Sequence, residues 1–399
     1  MRLLRVIPSL DPLGGGPMEG AKNIDSCLAS RGINVEVLTL DSPDAGDFLQ
    51  QYPATVHALG PSKWGFGYSP LLVPWLREHG PKFDAVIVDG LWQYHGLGTW
   101  LALKDSPTPY FVLPHGMLDP WFKYRYPLKH LKKWLYWPWA EYRLLRDARA
   151  VVFTCEEERR LARDSFWLYR CNEAVTSYGT KAPPSNAQEL AQAFRQKHPE
   201  LGGKRLLLFL SRIHEKKGCD LLLEAFARVA DLDPALHLVM AGPDQTGWVA
   251  GLQQQASALG VAHRISWPGM LTGDDKWGAF HAAEAFCLPS HQENFGIVVA
   301  EALGCSKPVL ISNKVNIWRE IEGDRAGIVN DDTLEGTVAG LAAWLAMTPE
   351  QQEDMRLAAR NCFEQRFQIE QVAESLIRII SEHVGPKTSP EPQHLRKPA

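Results

Sequence analysis

Disulfides and zinc have little support in this chain. Its seven cysteines (27, 155, 171, 219, 287, 305 and 362) lie far apart and form no C-x-x-C pair, so neither a disulfide framework nor a zinc site is indicated. Several fall inside apolar runs, where a reduced cysteine acts as a small core residue. An excess of one charge is also lacking: 42 Lys and Arg stand against 46 Asp and Glu, a net charge of −4. That leaves no overall nucleic-acid footprint. No apolar run reaches the ~18 residues of a spanning helix. The first residues, MRLLRVIPSLDPLGGG, contain no h-region and no cleavage site. The expectation is a cytoplasmic protein. What is present is ordinary for a soluble chain, with 45% apolar and 22% charged residues over 399 positions, enough for two domains with separate cores.

The first half opens on an apolar strand, Leu3 to Ser9, followed by Gly14-Gly15-Gly16 and a helical pattern from Pro17 to Ser30. A second strand runs from Asn34 to Leu40. Strand, glycine loop, helix, strand is the opening of a doubly wound α/β domain. The glycines let a ligand approach the backbone, but GGG-Pro lacks the GxGxxG dinucleotide spacing. Further buried strands end at Asp89-Gly90 and at Pro114-His115-Gly116. Ligands of open α/β sheets sit outside the carboxyl ends of strands, which makes His115 a candidate; His95 reads as structural. A Pro- and Gly-rich stretch, Tyr178 to Gly203, reads as a linker around a short helix and marks a domain boundary.

The second half restarts the pattern. A strand, Arg205 to Leu210, leads into SRIHEKKG (211–218), where Arg212 and Lys217 can both point at one anion. A buried strand, Ala285 to Leu288, leads into PSHQENFGIVVAEAL (289–303). There Glu293 precedes a helix that Gly296 opens, and Glu301 lies two turns on. The free amides of Gly296, Ile297 and Val298 form an anion site at the helix start. Phosphate on amides, flanked by carboxylates for hydroxyls, suits a sugar joined to a phosphate. Asp231-Leu232-Asp233 lies between a helix and a strand, away from that cleft, and is not read as a metal motif.

Trp121 to Arg149 is different in kind. It holds eight Lys and Arg against two acids and nine aromatic residues. Basic and aromatic residues at helical spacing suit a surface lying on anionic lipid.

Taken in order, these motifs resemble those of the retaining glycosyltransferases of group 1 (family 4), which have the GT-B fold. The glycine loop, R-x4-K-G at 212–218, E-x7-E with its Phe-Gly step, and a histidine after an N-terminal strand all correspond. Three positions depart from the usual pattern: GGG-Pro in the loop, Ser306 for glycine after the Glu301 helix, and Thr176 to Thr180 near the boundary.

The resemblance implies an α/β GT-B architecture of two Rossmann-like, doubly wound parallel-sheet domains facing a central cleft. The expected divisions are an acceptor-side domain at 1–180, a linker at 181–203 and a nucleotide-sugar domain at 204–370. A helix at 371–386 crosses back to the first domain, and a disordered tail follows at 387–399. It also implies roles: Arg212 and Lys217 on the donor diphosphate, Glu301 on ribose hydroxyls and Glu293 on sugar hydroxyls near the reacting carbon. Backbone amides at Phe295 to Val298 would bind phosphate and sugar, His115 would help place the sugar, and Gly15 and Gly16 would make room. No metal and no cofactor are expected. The donor would be a UDP- or GDP-hexose and the acceptor a saccharide, lipid-linked, in surface polysaccharide or lipopolysaccharide biosynthesis at the inner membrane face. Alternatives of the same architecture are a nucleotide-sugar epimerase and a soluble sucrose-type synthase; a non-catalytic nucleotide-sugar binder is the third. Lys217 and Glu293 read as cleft-surface residues, whose replacement by alanine should abolish transfer yet change stability by no more than about 1 kcal/mol.

Overall fold

A computed structural model describes residues 1–12 and 16–384. Gly14 and Gly15, and the tail at 387–399, lie outside the described residues; Gly16 opens the helix Gly16–Ser30.

Among the described residues, seven strands build the first sheet: β1 (Arg2–Ile7), β2 (Asn34–Thr39), β3 (Thr55–Ala58), β4 (Ala85–Asp89), β5 (Tyr110–Leu113), β6 (Ala150–Phe153) and β7 (Glu173–Val175). Their order is β3-β2-β1-β4-β5-β6-β7, all parallel. Six build the second: β8 (Arg205–Leu210), β9 (Leu236–Ala241), β10 (Ile265–Gly269), β11 (Ala285–Leu288), β12 (Val309–Ser312) and β13 (Gly327–Asn330). Their order is β10-β9-β8-β11-β12-β13, again parallel. Central strands such as β4, β6 and β9 are buried along their whole length, as strands covered by helices on both faces must be. Three edge strands, β3, β7 and β13, are only half-buried. They lack the continuous apolar run, which is why the residue pattern does not predict them.

Strand order places the sites. In each sheet the connections reverse direction beside the first strand, between β1 and β4 and between β8 and β11. Crevices at such switch points receive ligands. The loop after β5 carries His115. The loops after β8 and β11 carry the two acid-and-base motifs and face it across the cleft.

Among the described residues the chain crosses between lobes twice, and the two crossings pair. Thr180 donates its N–H to the Phe367 carbonyl at 3.0 Å and accepts from the Ile369 N–H at 3.0 Å. A side chain at Gly179 would meet the Phe367 carbonyl at 2.9 Å, so this crossing needs glycine. After it, the helix Ile369–His383 buries Val372, Leu376 and Ile380 against Leu3, Ile87 and Phe111 of the first lobe. The segment read as a linker around a short helix, 181–203, carries the helix Ala187–Lys197. Its Phe194, with Leu201 beyond it, sits in the second core.

Candidate active site

A cavity of about 280 Å³ lies between the lobes, lined by His115, Gly116, Phe122, Thr154 and Tyr178 on one side. Lys216 and the run Gln292 to Ile297 form the other side.

His115 is held from below by a buried chain of charges. Its Nε2 lies 2.7 Å from Asp89 Oδ1, and the other Asp89 oxygen accepts from Arg5 at 2.5 Å. Arg5 is fully buried and makes a forked pair with Asp25 at 2.7 and 2.8 Å, while Asp25 also accepts from Tyr52 at 2.8 Å. Burial alone would raise the Asp89 carboxyl. Arg5 and His115 outweigh it and hold Asp89 at about 2. An ionised carboxylate only accepts, so His115 donates from Nε2 in this contact. The His115 backbone is left-handed, with φ 51°, an uncommon state for a non-glycine residue. Buried Glu158 fixes the turn by accepting from the amides of Gly116 and Thr154 at 2.5 and 2.7 Å.

Across the cleft, Lys217 is buried and ion-paired with Glu293. Burial, with Lys216 and Arg212 alongside, pushes the Lys217 ammonium below the ordinary lysine range; the Glu293 carboxylate is what favours its charge. The Glu293 loop is pinned to the next strand's loop, its N–H donating to the Lys314 carbonyl and its carbonyl accepting from Asn316. Gly296 then caps the helix Ile297–Gly304 in a left-handed conformation, φ 75°, with no side chain capping the first amides. Glu301 on that helix is buried and paired with Lys276 at 2.8 Å. Burial raises its carboxyl, and Lys276 opposes the rise.

The lobes meet beside the cavity. Gln292 donates to Asp119 at 2.8 Å, and Asn294 lies where a Gly116 side chain would be, 2.5 Å from its ideal Cβ. Tyr178 packs edge-on between His115 and Phe295, at 5.9 and 5.4 Å.

The description "Glycosyl transferases group 1" fits residues 191–362, and "Glycosyl transferase 4-like domain" fits residues 15–179. The chain belongs to the group 1 glycosyltransferases. Its two lobes are the two domains of that family's GT-B fold. Among curated relatives, D-inositol 3-phosphate glycosyltransferase of Thermomonospora curvata is 34% identical over 39% of this chain and 37% of its own length. Mannosylfructose-phosphate synthase of Agrobacterium fabrum is 27% identical over 32% and 29%. The chain thus spans about a third of the length of the curated relatives it matches. Solved folds match over much more: Anabaena Alr3699/HepE in complex with UDP gives a TM-score of 0.75 at 18% identity, over 96% of this chain and all of that one. WaaG, a glycosyltransferase involved in lipopolysaccharide biosynthesis, gives 0.62 at 19%, over 96% and all of that chain.

Within the cleft the motif residues separate. His115, Glu293, Phe295, Gly296 and Ile297 line the cavity directly. Arg212, exposed on the loop after β8, meets Gln245 at 3.4 Å and acts electrostatically on both Lys216 and Lys217. Lys217 sits beneath the cavity rather than on the cleft surface, which corrects the reading of it as a surface residue. Glu301 and Val298 lie further along the helix, outside the cavity lining. His95 is fully buried, with its ring nitrogen at 2.8 Å from the Asp89 carbonyl. Asp233, of the DxD stretch, pairs with Arg205 at 2.6 Å.

Four partners escaped the motif reading: Lys216, Lys276, Asp89 and Arg5. Lys216 adjoins a motif lysine in sequence, the one signal that could have found it. The others meet the site only through the fold. Ser306, the departure from the usual glycine, takes a left-handed φ of 58°.

Among the described residues no group of three or more His, Cys, Asp or Glu is placed to hold a metal ion, and no helix is long and apolar enough to cross a membrane. The Trp121–Arg149 segment divides its large apolar side chains. Trp137 is fully buried, whereas Tyr124, Leu128, Leu135 and Trp139 are 60–79% exposed.

Proposed function

We propose that this chain transfers a hexosyl group, with retention, from a UDP-hexose to a hydroxyl of a saccharide acceptor. The observation that carries the reading is the convergence of His115, Lys216, Glu293 and an uncapped helix start on one cavity between the lobes. The amides of Gly296 to Val298 take the donor phosphate. Arg212 and Lys217 take the charge that grows on the leaving diphosphate; one Lys217 proton faces Glu293 and two remain for phosphate. Glu301 binds ribose hydroxyls, and Glu293 binds the sugar. His115 offers Nδ1 to a sugar hydroxyl, and Gly16, at the start of its helix, makes room for phosphate or acceptor. The anomeric carbon–oxygen bond to the diphosphate breaks while the acceptor oxygen bonds the same face. The acceptor proton passes to the departing phosphate oxygen. In this scheme protein cations do the work of a metal. UDP as the base is supported by the likeness to HepE, which was solved with UDP.

The acceptor is lipid-linked and belongs to surface polysaccharide or lipopolysaccharide assembly. Support comes from the helix Pro127–Tyr136, whose Leu128, Leu131 and Leu135 share one exposed face beside Lys129 and Lys132. Such a face fits the interface of an anionic membrane.

A thermal-shift screen with UDP, GDP, ADP and their sugars tests the donor. Ligand at 100 times its dissociation constant adds ~2.7 kcal/mol, and stabilisation by GDP but not UDP would overturn the base assignment. Product analysis with labelled UDP-glucose, with and without EDTA, separates transfer onto lipid extract from transfer onto small sugars or epimerisation.

A further inference from the structure

A second groove opens on the first lobe, beside the donor cavity. It has a volume of about 330 Å³ and is lined by Phe66, Trp92, Lys132, Lys133 and Tyr136. Trp92 is its anchor. Its backbone is left-handed at φ 72°, where a bulky residue is a genuine outlier. Two hydrogen bonds hold it there: its N–H to Glu141 Oε1 at 2.7 Å, and its indole N–H to the Met117 carbonyl at 3.2 Å. Lys133 Nζ lies 4.4 Å from the Trp92 ring centroid and 5.5 Å from that of Phe122. Phe122 also lines the donor cavity, and Met117 follows His115 by two positions. Phe122 and Lys133 thus stand between the groove and the cavity.

Unused polar capacity lies at the wall, on Tyr136, and behind it, on Glu141. Glu141 is 1% exposed, and its Oε2 has no hydrogen-bond partner; the hydroxyl of Tyr136 is buried and equally unpartnered. Glu141 lies close enough to couple to both Tyr136 and Lys133, so carboxyl, phenol and ammonium are neighbours. Aromatic walls suit the C–H face of a pyranose, a carboxyl and a phenol suit hydroxyls, and two lysines suit a phosphate.

We propose that this groove is the acceptor subsite and that it binds a phosphorylated sugar, its ring against Phe66, Trp92 and Tyr136 and its phosphate on Lys132 and Lys133. This rests on the transferase reading above. The phosphosugar is either free or the headgroup of a lipid, since both present the same chemistry to the groove.

The test uses the full chain saturated with UDP. Calorimetric titration with glucose 6-phosphate, glucose and inorganic phosphate should show the phosphosugar binding at least tenfold more tightly than either part. Lys133→Gln, and Lys132→Gln at an exposed position, should each weaken it about tenfold and leave UDP affinity within twofold. In the lipid arm, vesicles of phosphatidylinositol and phosphatidylglycerol at equal charge are compared. A preference for the inositol headgroup that Lys133→Gln removes supports the groove with a lipid-linked ligand. Binding of free glucose 6-phosphate alone supports it with a soluble one. If UDP binds but no phosphosugar does in either arm, or if neither lysine change alters binding, the groove proposal is overturned and the transferase reading stands. If UDP itself fails to bind, the transferase reading falls, and the subsite assignment falls with it.

Discussion

Asp89 joins His115 to Arg5: one carboxylate oxygen sits 2.7 Å from the imidazole and the other 2.5 Å from the guanidinium. The cleft histidine is thus oriented by a charge that is itself oriented from the core. Asp89→Asn should therefore lower kcat by one to two orders of magnitude with UDP affinity nearly unchanged, because tautomer and ring orientation are lost while the phosphate site is untouched. Stability carries the same signature. The folded pKa of Asp89, about 2, is depressed from 3.8, so its contribution is present above the unfolded value and is lost as pH falls through the folded one. That difference is about 2 kcal/mol. Urea melts from pH 6 to pH 2 should show wild type losing about that much more than the Asn variant; parallel curves would refute the depressed pKa.

The Lys217–Glu293 pair gives a second prediction. Lys217→Ala and Glu293→Gln should each reduce kcat/KM at least a hundredfold, as loss of preorganised charge does. Their stability costs differ from the sequence expectation of about 1 kcal/mol. Lys217 is buried while the Glu293 side chain keeps 20% exposure, so removing the lysine should cost about 2 kcal/mol, short of the 3–5 for a fully buried pair. Chemical denaturation measures the cost, and single-turnover kinetics measures the activity loss.

Glu301 and Lys276 form a separate pair, 2.8 Å apart. If Glu301 holds the ribose, Glu301→Gln should weaken UDP binding about tenfold, the worth of a charge-assisted hydrogen bond. Lys276→Met should stay closer to wild type in binding. Isothermal titration with UDP would settle the order, and equal effects would assign Glu301 to structure alone.

Glu141 is pushed up to about 8, chiefly by burial, against the opposing pull of the Trp92 amide and Lys133. Between its unfolded value near 4.5 and pH 8 the unfolded chain has lost a proton that the folded chain keeps. Stability from this group therefore falls as pH rises through that window, by a total on the order of 4 kcal/mol. Glu141→Gln should remove the slope and melt higher than wild type at pH 8. Thermal melts across pH 5 to 8.5 test the sign.

Leu128, Leu131 and Leu135 are 79%, 55% and 60% exposed. Replacing any of them with glutamate should leave stability within about 0.5 kcal/mol while reducing binding to anionic vesicles severalfold. Flotation at graded salt reads the effect. Absence of wild-type binding at low salt would remove the membrane half of the function.

Much of this was legible in the chain itself. Central strands announced themselves as continuous apolar runs, and the two second-half motifs stood in contiguous sequence because each lies on a single strand–loop–helix unit. Local spacing therefore determined the two-lobe α/β pattern, and the resemblance carried by its motifs pointed to the family and strengthened the candidacy of Arg212, Lys217, Glu293, Glu301 and His115. Tertiary structure decided which of these share a cavity, that Lys217 is buried against Glu293, and that Asp89 and Arg5 stand behind His115. It also brought Trp92, Lys133 and Glu141 together from three separate elements. The reason is physical: side-chain spacing encodes neighbours within one turn or one strand, whereas an ion pair between residues 84 positions apart, such as Arg5 with Asp89, exists only once parallel strands have been ordered beside each other.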